Sequence, residues 1–409
     1  MDQKQQRLLA EIRPLLLNVR PLFFFELIYY FLGFLVIQPC GMWLFNQCLV
    51  LTKVNYLEGS NLRTILSHPI VIVAGIILLV FFAFYILLEY TTIICCLNES
   101  RNGHRIRLIP LMRAGISRAA RVWHPRNGMM IVFVLILLPF FSTDHASNFI
   151  ASLSIPGFIL TYIQENPLLL AGFIGLCLFV SFYIFQNLYL IQYFTLSQKT
   201  FKQSSRASKA LLKGDFFKTI VVCLTIDVII YGGSAAMNGL ASLTSYIVSH
   251  LGLYDLLQSG QAPGMGVTLL CSAIATLISV LDTILYLVDT PLTLIGLTAG
   301  YYHYSQKKAL PLASTPLVSD EKQDFWKRFW TKKKQAALIL ILLGIGFADK
   351  FSTIKIIMDP DTAAGIVSQT LIAGHRGDSH DTPENTRAAL EKAISLGADY
   401  VEIDVCETK

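Results

Sequence analysis

Long apolar runs constrain the fold of this chain more than any other feature of its sequence. Seven of them lie at residues 21–51, 69–97, 128–141, 168–195, 216–251, 266–301 and 336–348. A helix needs about 20 mostly apolar residues to cross a bilayer, and most of these runs are that long. Apolar residues make up 54% of the chain and charged residues 15%, against about 45–50% and 25% in soluble domains. We therefore predict a polytopic α-helical membrane domain at residues 1–350, with about seven spans.

Two details of the span count stay open. The fifth and sixth runs are long enough for either of them to be broken, and Gly232-Gly233 interrupts the fifth. Residues 149–163 are apolar as well, and a re-entrant or interfacial segment is an alternative for them.

Lys and Arg are distributed very unevenly among the segments between these runs. Segments 1–20, 100–127, 196–218 and 302–334 together carry 25 of them, whereas the alternate segments carry 2. Because cytoplasmic loops of membrane proteins are enriched in Lys and Arg, the rich side is predicted to be cytoplasmic. With seven crossings the N-terminus is cytoplasmic, and everything after residue 350 is extracytoplasmic.

Two of the basic segments, residues 100–127 and 199–213, mix their charges with regularly spaced Leu, Ile and Ala. One interpretation is amphipathic helices that lie on anionic lipid of the inner leaflet. The other is ordinary loops that set the topology, and the generality of the positive-inside rule favours it slightly.

Five carboxylates fall within the predicted spans. Asp227, Asp282 and Asp289 lie well inside the fifth and sixth runs, and Glu26 and Glu89 lie nearer the inner ends of the first and second. Charged groups are costly in a membrane. One interpretation of these five carboxylates is therefore a polar cavity that holds a cation, a proton or a lipid headgroup. Hydrogen bonding between helices by protonated acids explains them equally well.

The last 39 residues have a different character. A short apolar strand ends in G-H-R-G at residues 374–377, P-E-N-T at 383–386 opens a helix, and a second apolar strand ends in E-I-D at 402–404. This order is typical of the first βαβ unit of a barrel, in which functional groups gather at the carboxyl ends of the strands. Residues 351–370 are then an extracytoplasmic linker. The glycines of G-H-R-G leave the backbone open to a ligand.

The side chains at these strand ends suit phosphate chemistry. His375 is a candidate general acid or base, and Arg376 offers a planar fork for two phosphate oxygens. Glu402 and Asp404 are two residues apart on a strand, so both point to one face, where they suit Ca²⁺ or Mg²⁺. Glu384, at the start of the intervening helix, is placed to fix His375 or the metal.

Taken together, these motifs resemble the glycerophosphodiester phosphodiesterase family. The similarity covers H-R-G, P-E-N-T and G-A-D-Y-V-E-I-D-V at residues 397–405. A multi-spanning region ahead of them looks like the membrane-bound members found in Gram-positive bacteria. The resemblance implies a TIM barrel that hydrolyses glycerophosphodiesters to glycerol 3-phosphate and an alcohol. It also implies that His375 is one of two catalytic histidines, Arg376 a phosphate clamp, and Glu402 and Asp404 two ligands of a divalent metal.

The second histidine and the third metal carboxylate of that family are absent from these residues. A TIM barrel needs about 250 residues, so we expect these 409 residues alone to lack diesterase activity. The expected partners are the lipid bilayer and a glycerophosphodiester, phospholipid-derived or glycerophosphate-polymer substrate, and no nucleic acid is expected. The alternative is a non-enzymatic lipid-handling or scaffold protein with a vestigial tail. An ion-coupled transporter is supported only by the acids in the spans.

Overall fold

The computed structural model describes residues 13–52, 68–137, 162–217, 219–221, 265–310, 331–357, 372–378 and 382–405, and isolated helical positions between 228 and 242. The chain divides into two compact units. The first comprises Met1–Ala236 and Asp282–Gln335, and the second comprises Met237–Leu281 and Ala336–Lys409.

The membrane region is helical. Its helices are α1 (Val19–Leu32), α2 (Gln38–Thr52), α3 (Pro69–Arg101), α4 (Leu108–Ala119), α5 (Met129–Leu137), α6 (Pro167–Gln186), α7 (Leu190–Leu196), α8 (Phe201–Leu212), α9 (Met265–Lys307) and α10 (Lys332–Ile357). A π-helical turn at Gly33–Ile37 joins α1 to α2. Helix α9 continues through Pro291.

Three helical stretches within the described residues are long and apolar enough to cross a membrane. They are Arg13–Thr52, Pro69–Arg101 and Pro167–Leu196, and they coincide with the predicted runs at 21–51, 69–97 and 168–195. The chain is therefore a helical membrane protein. Helices α9 and α10 cover the sixth and seventh runs, and α5 covers part of the third. Most of the fifth run and most of residues 149–163 lie outside the described residues, so the count of seven stays a prediction.

Local sequence signals set several of the helix ends. Pro69 occupies the first turn of α3, where its missing N–H leaves no hydrogen bond unmade. Asn166 caps α6 by accepting from the backbone N–H groups of Leu168 and Leu169. Thr200 and Gln203 form a reciprocal capping box at the start of α8.

Helix α3 changes environment halfway along its length. In its first half Ile70, Val73 and Ile77 are each more than half exposed, as expected of side chains that face lipid. In its second half every residue from Glu89 to Ser100 is buried. The C-terminal half of α3 is thus the centre of a packed core, and we call it the inner half because it lies inside this core.

Polar contacts enclose this inner half. Asn18 Nδ2 donates to Ser100 Oγ at 3.0 Å and to the His104 carbonyl oxygen at 2.8 Å. Its Oδ1 accepts from the Ile106 N–H at 3.0 Å. The Tyr302 hydroxyl of α9 donates to Asn98 Oδ1 at 2.8 Å. The buried amides of Asn18 and Asn98 are therefore paired with groups from other segments of the chain.

The two basic segments contribute to the same core. Helix α4 packs on α3 so closely that a Cβ added at Gly115 would lie 1.8 Å from Thr92 Oγ1. Helix α8 buries Ser204, Ser208, Leu211 and Leu212. Both segments therefore contain helices whose buried faces pack on protein. Contact with anionic lipid and a role in setting the topology both stay predictions.

The tail, residues 372–405, forms a strand–helix–strand unit. Strand β1 (Ala373–Gly374) pairs in parallel with β2 (Tyr400–Val401), in the register Ala373↔Tyr400 and Gly374↔Val401. Helix α11 (Arg387–Ser395) lies between them in the chain. The predicted βαβ order is confirmed for these residues, and its place in a TIM barrel stays a prediction. Helix α10 reaches Ile357, inside the predicted linker, and residues 358–371 lie outside the description.

Candidate active site at the ends of the parallel strands

A tight turn follows β1 and holds the first two candidate residues. Arg376 and Gly377 both have positive φ, 54° and 85°, and the Gly377 N–H donates to the Gly374 carbonyl oxygen at 3.3 Å. The left-handed backbone turns the chain sharply at the end of the strand. It therefore places His375 and Arg376 at the carboxyl edge of the sheet.

His375 lies beside Glu402, the first residue after β2. Its Nε2 is 3.8 Å from Glu402 Oε2, and the side chains are 68% and 52% exposed. The Glu402 N–H donates to the Gly374 carbonyl oxygen at 2.9 Å, which continues the pairing of the strands to the site. The two residues are close enough for an ion pair when the imidazole is protonated.

Arg376 contacts two carboxylates. Its Nη1 donates to both Glu384 oxygens at 3.2 and 3.1 Å. Its Nε lies 2.6 Å from Asp404 Oδ2, as an ion pair without the alignment of a regular hydrogen bond. Hydrogen bonding to Glu384 and the charge of Asp404 raise the pKa of Arg376. The guanidinium thus joins the turn after β1 to the turn before α11 and to the end of β2.

The two glycines of the turn have a packing role that the sequence did not reveal. A Cβ added at Gly377 would lie 2.6 Å from the backbone of Ala389, and one at Gly374 would lie 3.0 Å from the Ala393 side chain. Helix α11 therefore approaches the turn as closely as glycine allows. We expected these glycines to leave room for a ligand, and the structure shows that they leave room for the helix.

Asn385 is a site residue that the prediction missed. Its N–H donates to the Arg376 carbonyl oxygen, and its Oδ1 accepts from the Asp404 N–H, both at 3.0 Å. Only the P-E-N-T motif signalled it in the sequence. A motif does not reveal which backbone groups a side chain meets.

The carboxylates within the spans are described only in part. Asp227 lies outside the described residues, and Asp282 lies in α9 without a described side chain. Asp289 lies next to Thr290, whose hydroxyl interacts with the Glu89 carboxylate, as does that of Tyr29. Glu26 and Glu89 are only 4% and 8% exposed. The contacts of Glu89 are those expected of hydrogen bonding between helices.

The donor set at the strand ends fits part of a divalent-cation site. Carboxylate oxygens are the ligands that Ca²⁺ and Mg²⁺ prefer, and Glu402 and Asp404 bring two carboxylates to one edge. Within the part of the chain that the structure describes, however, no group of three or more His, Cys, Asp or Glu side chains is arranged to hold a metal ion. Among these residues, Glu402 and Asp404 alone do not complete a coordination shell, and their role as metal ligands stays a prediction.

Comparisons with known proteins identify the family of the chain. Residues 9–347 match the family described as the membrane domain of glycerophosphoryl diester phosphodiesterase, and residues 375–409 match the glycerophosphoryl diester phosphodiesterase family. The glycerophosphodiester phosphodiesterase of Caldanaerobacter subterraneus subsp. tengcongensis is 56% identical over 41 residues. That match spans 10% of this chain and 17% of the relative. No solved structure matches. The chain belongs to the family of membrane-bound glycerophosphodiester phosphodiesterases, as its motifs predicted.

Proposed function

We propose that this chain contributes the membrane domain and the first strands of a metal-dependent hydrolase. The reaction converts glycerophosphodiesters to glycerol 3-phosphate and an alcohol. The substrate is free in solution, derived from phospholipid, or part of a glycerophosphate polymer. The observation that carries the proposal is the convergence of His375, Arg376, Glu402 and Asp404 at one edge of the parallel strands.

Each of these residues has a defined task in the proposal. His375, exposed and beside Glu402, exchanges a proton with the reacting oxygen. Arg376 binds phosphate oxygens of the substrate. To do so, its guanidinium releases one of its two carboxylate partners, Asp404 or Glu384. Glu384 orients the guanidinium. Glu402 and Asp404 would hold Ca²⁺ or Mg²⁺, which when bound polarises the phosphoryl oxygen.

The test uses the protein purified from its own membranes in detergent. A soluble glycerophosphodiester should be hydrolysed, and removal of divalent metal with EDTA should abolish the hydrolysis. The His375→Ala variant should lose at least about 100-fold in kcat, the low end of general acid–base catalysis. Because the match spans only 17% of the relative, we expect the 409 residues alone to give almost no turnover. Native protein without turnover would favour the non-enzymatic scaffold instead.

The proposed topology has seven spans, a cytoplasmic N-terminus and a linker at residues 351–370 that carries the site outside the cell. A variant whose single cysteine is Cys406 should be labelled by a membrane-impermeant maleimide in intact cells. The matched control is a cysteine-free variant with Ser117→Cys, on the exposed side of α4, which should be labelled only after lysis. The reverse result would overturn the proposed orientation.

We further propose that Asp227, Asp282 and Asp289 line a polar cavity that presents membrane substrate to the site. Their replacement by Asn should lower activity on a membrane substrate and spare a soluble diester. Equal losses on both substrates would instead indicate a role in folding of the membrane domain.

A further inference from the structure

Asn385 bonds to both strand ends that carry the site. Its backbone N–H donates to the carbonyl oxygen of Arg376, in the turn after β1, at 3.0 Å. Its side-chain Oδ1 accepts from the backbone N–H of Asp404, after β2, at 3.0 Å. One residue therefore bridges the His375-Arg376 turn and the segment of Glu402 and Asp404, independently of the ion pairs between their side chains.

The backbone of Asn385 restricts what can stand at this position. Its φ is 58°, in the left-handed region that disfavours most side chains and that Asn, Asp and Gly tolerate best. Glycine would adopt the conformation but lacks the acceptor for Asp404. Asn and Asp combine the left-handed conformation with a side-chain oxygen at the right distance from the backbone.

Capping of α11 does not account for the Asn385 side chain. Thr386 is the cap of that helix, and its hydroxyl accepts from the Ala389 N–H at 3.3 Å. The Asn385 oxygen instead reaches an amide 19 residues further along the chain. Its contact is therefore with the site and not with the adjacent helix.

We propose that Asn385 is a positioning residue that fixes the His375-Arg376 turn against Glu402 and Asp404. This inference rests on the proposed function, because it assigns Asn385 to the same metal and phosphate site. Groups behind metal ligands typically change metal affinity by about 10–100-fold when removed. Loss of the Asn385 oxygen should weaken cation binding by about tenfold without unfolding the strand–helix–strand unit.

The experiment compares variants of the full protein in detergent. Mn²⁺ binding is measured by electron paramagnetic resonance, and protection of the Asp404 amide by hydrogen–deuterium exchange. Asn385→Gly keeps the left-handed backbone and removes the acceptor, whereas Asn385→Asp keeps both. The matched control is Asp399→Ala, which removes another side-chain bond between the same strands, from Ile372 N–H to Asp399 Oδ2 at 2.9 Å, at their opposite end.

Asn385→Gly should bind Mn²⁺ about tenfold more weakly and lose protection at the Asp404 amide. Asn385→Asp should keep the protection, and Asp399→Ala should keep Mn²⁺ affinity. An equal loss of Mn²⁺ affinity in Asp399→Ala would overturn the proposal, because any loosening of the strands would then suffice. Wild-type protein that binds no Mn²⁺ would contradict the metal site of the proposed function. The exchange data then decide alone, and an Asp404 amide that stays protected in Asn385→Gly overturns the positioning role.

Discussion

The inner half of α3 and the strand ends of the tail both gather polar groups, but they hold them in opposite ways. Around α3, Asn18, Asn98 and Glu99 are at most 3% exposed, and the Asn18 amide bonds to three partners. In the tail, the His375 and Glu402 side chains are 68% and 52% exposed. A buried bonded group is costly to disturb, whereas an exposed one can exchange its partner for a ligand. The buried polar groups around α3 therefore stabilise the fold, whereas the exposed groups of the tail suit a binding site.

The largest loss of stability that tests this contrast is expected for Gly115→Ala. The added Cβ would lie 1.8 Å from Thr92 Oγ1 and 2.9 Å from Thr92 Cα, so α3 and α4 must separate. Overpacking of this kind costs about 3 kcal/mol of folding free energy. The loss is measured as a lower midpoint temperature of unfolding in detergent, with size-exclusion chromatography as the readout of folded protein.

Gly75→Ala is the matched control for that substitution. Gly75 also lies within a helix, in the N-terminal half of α3, but a Cβ there has no neighbour within 4 Å. The midpoint temperature of unfolding of Gly75→Ala should stay the same or rise, since Ala stabilises a helix by about 1 kcal/mol relative to Gly. Equal destabilisation of the two variants would show that the inner half is not the packed core.

Asn18→Ala should have the next largest effect. It removes all three hydrogen bonds of the side chain and leaves the buried Ile106 N–H without its acceptor. One buried unsatisfied group costs about 1–3 kcal/mol, so we expect a loss of about 2 kcal/mol in the same unfolding assay. Asn166→Ala, at the exposed cap of α6, should lose only about 1 kcal/mol. A smaller loss at Asn18 than at Asn166 would contradict the contrast.

Hydropathy predicted where the helices lie but not which of their faces meet protein. The runs at 69–97 and 168–195 coincide with Pro69–Arg101 and Pro167–Leu196. The sequence does not show that Glu89–Ser100 is enclosed, because an apolar side chain that faces lipid looks the same as one that faces another helix. The enclosure also depends on Asn18, which lies 82 residues from its partner Ser100.

Prediction of the site was limited in a similar way. His375, Arg376, Glu402 and Asp404 were predicted because side chains at the ends of parallel strands meet at one edge, and the structure brings them together. The packing of Gly377 against Ala389 was not predicted, since it depends on how closely α11 approaches. Neither the spacing of apolar residues nor the sequence motifs indicate how far α11 lies from the turn.

Gly377→Ala should disrupt the tail and leave the membrane core unchanged. Alanine there must adopt a φ of 85° and would lie 2.6 Å from Ala389. Left-handed strain alone costs about 1–3 kcal/mol, and we expect a loss of about 2 kcal/mol in the stability of the tail. Hydrogen exchange at the Glu402 amide should accelerate, with no change in α3. Accelerated exchange in both places would show that the two regions do not unfold separately.

The smallest effect is expected for Arg387→Gln on the exposed face of α11. Arg387 Nε lies 2.7 Å from Glu391 Oε1, but the side chains are 91% and 63% exposed, so water screens the pair. Pairs of this kind contribute less than about 0.5 kcal/mol. Its counterpart near the inner core is Lys307, 2.8 Å from Asp215, whose side chain is only 7% exposed. Lys307→Gln should cost at least about 1 kcal/mol in unfolding assays, because it removes the ammonium group that pairs with the buried Asp215 carboxylate. Two ion pairs of nearly equal length would then contribute in the order of their burial, and equal losses would contradict burial as the distinction between the two regions.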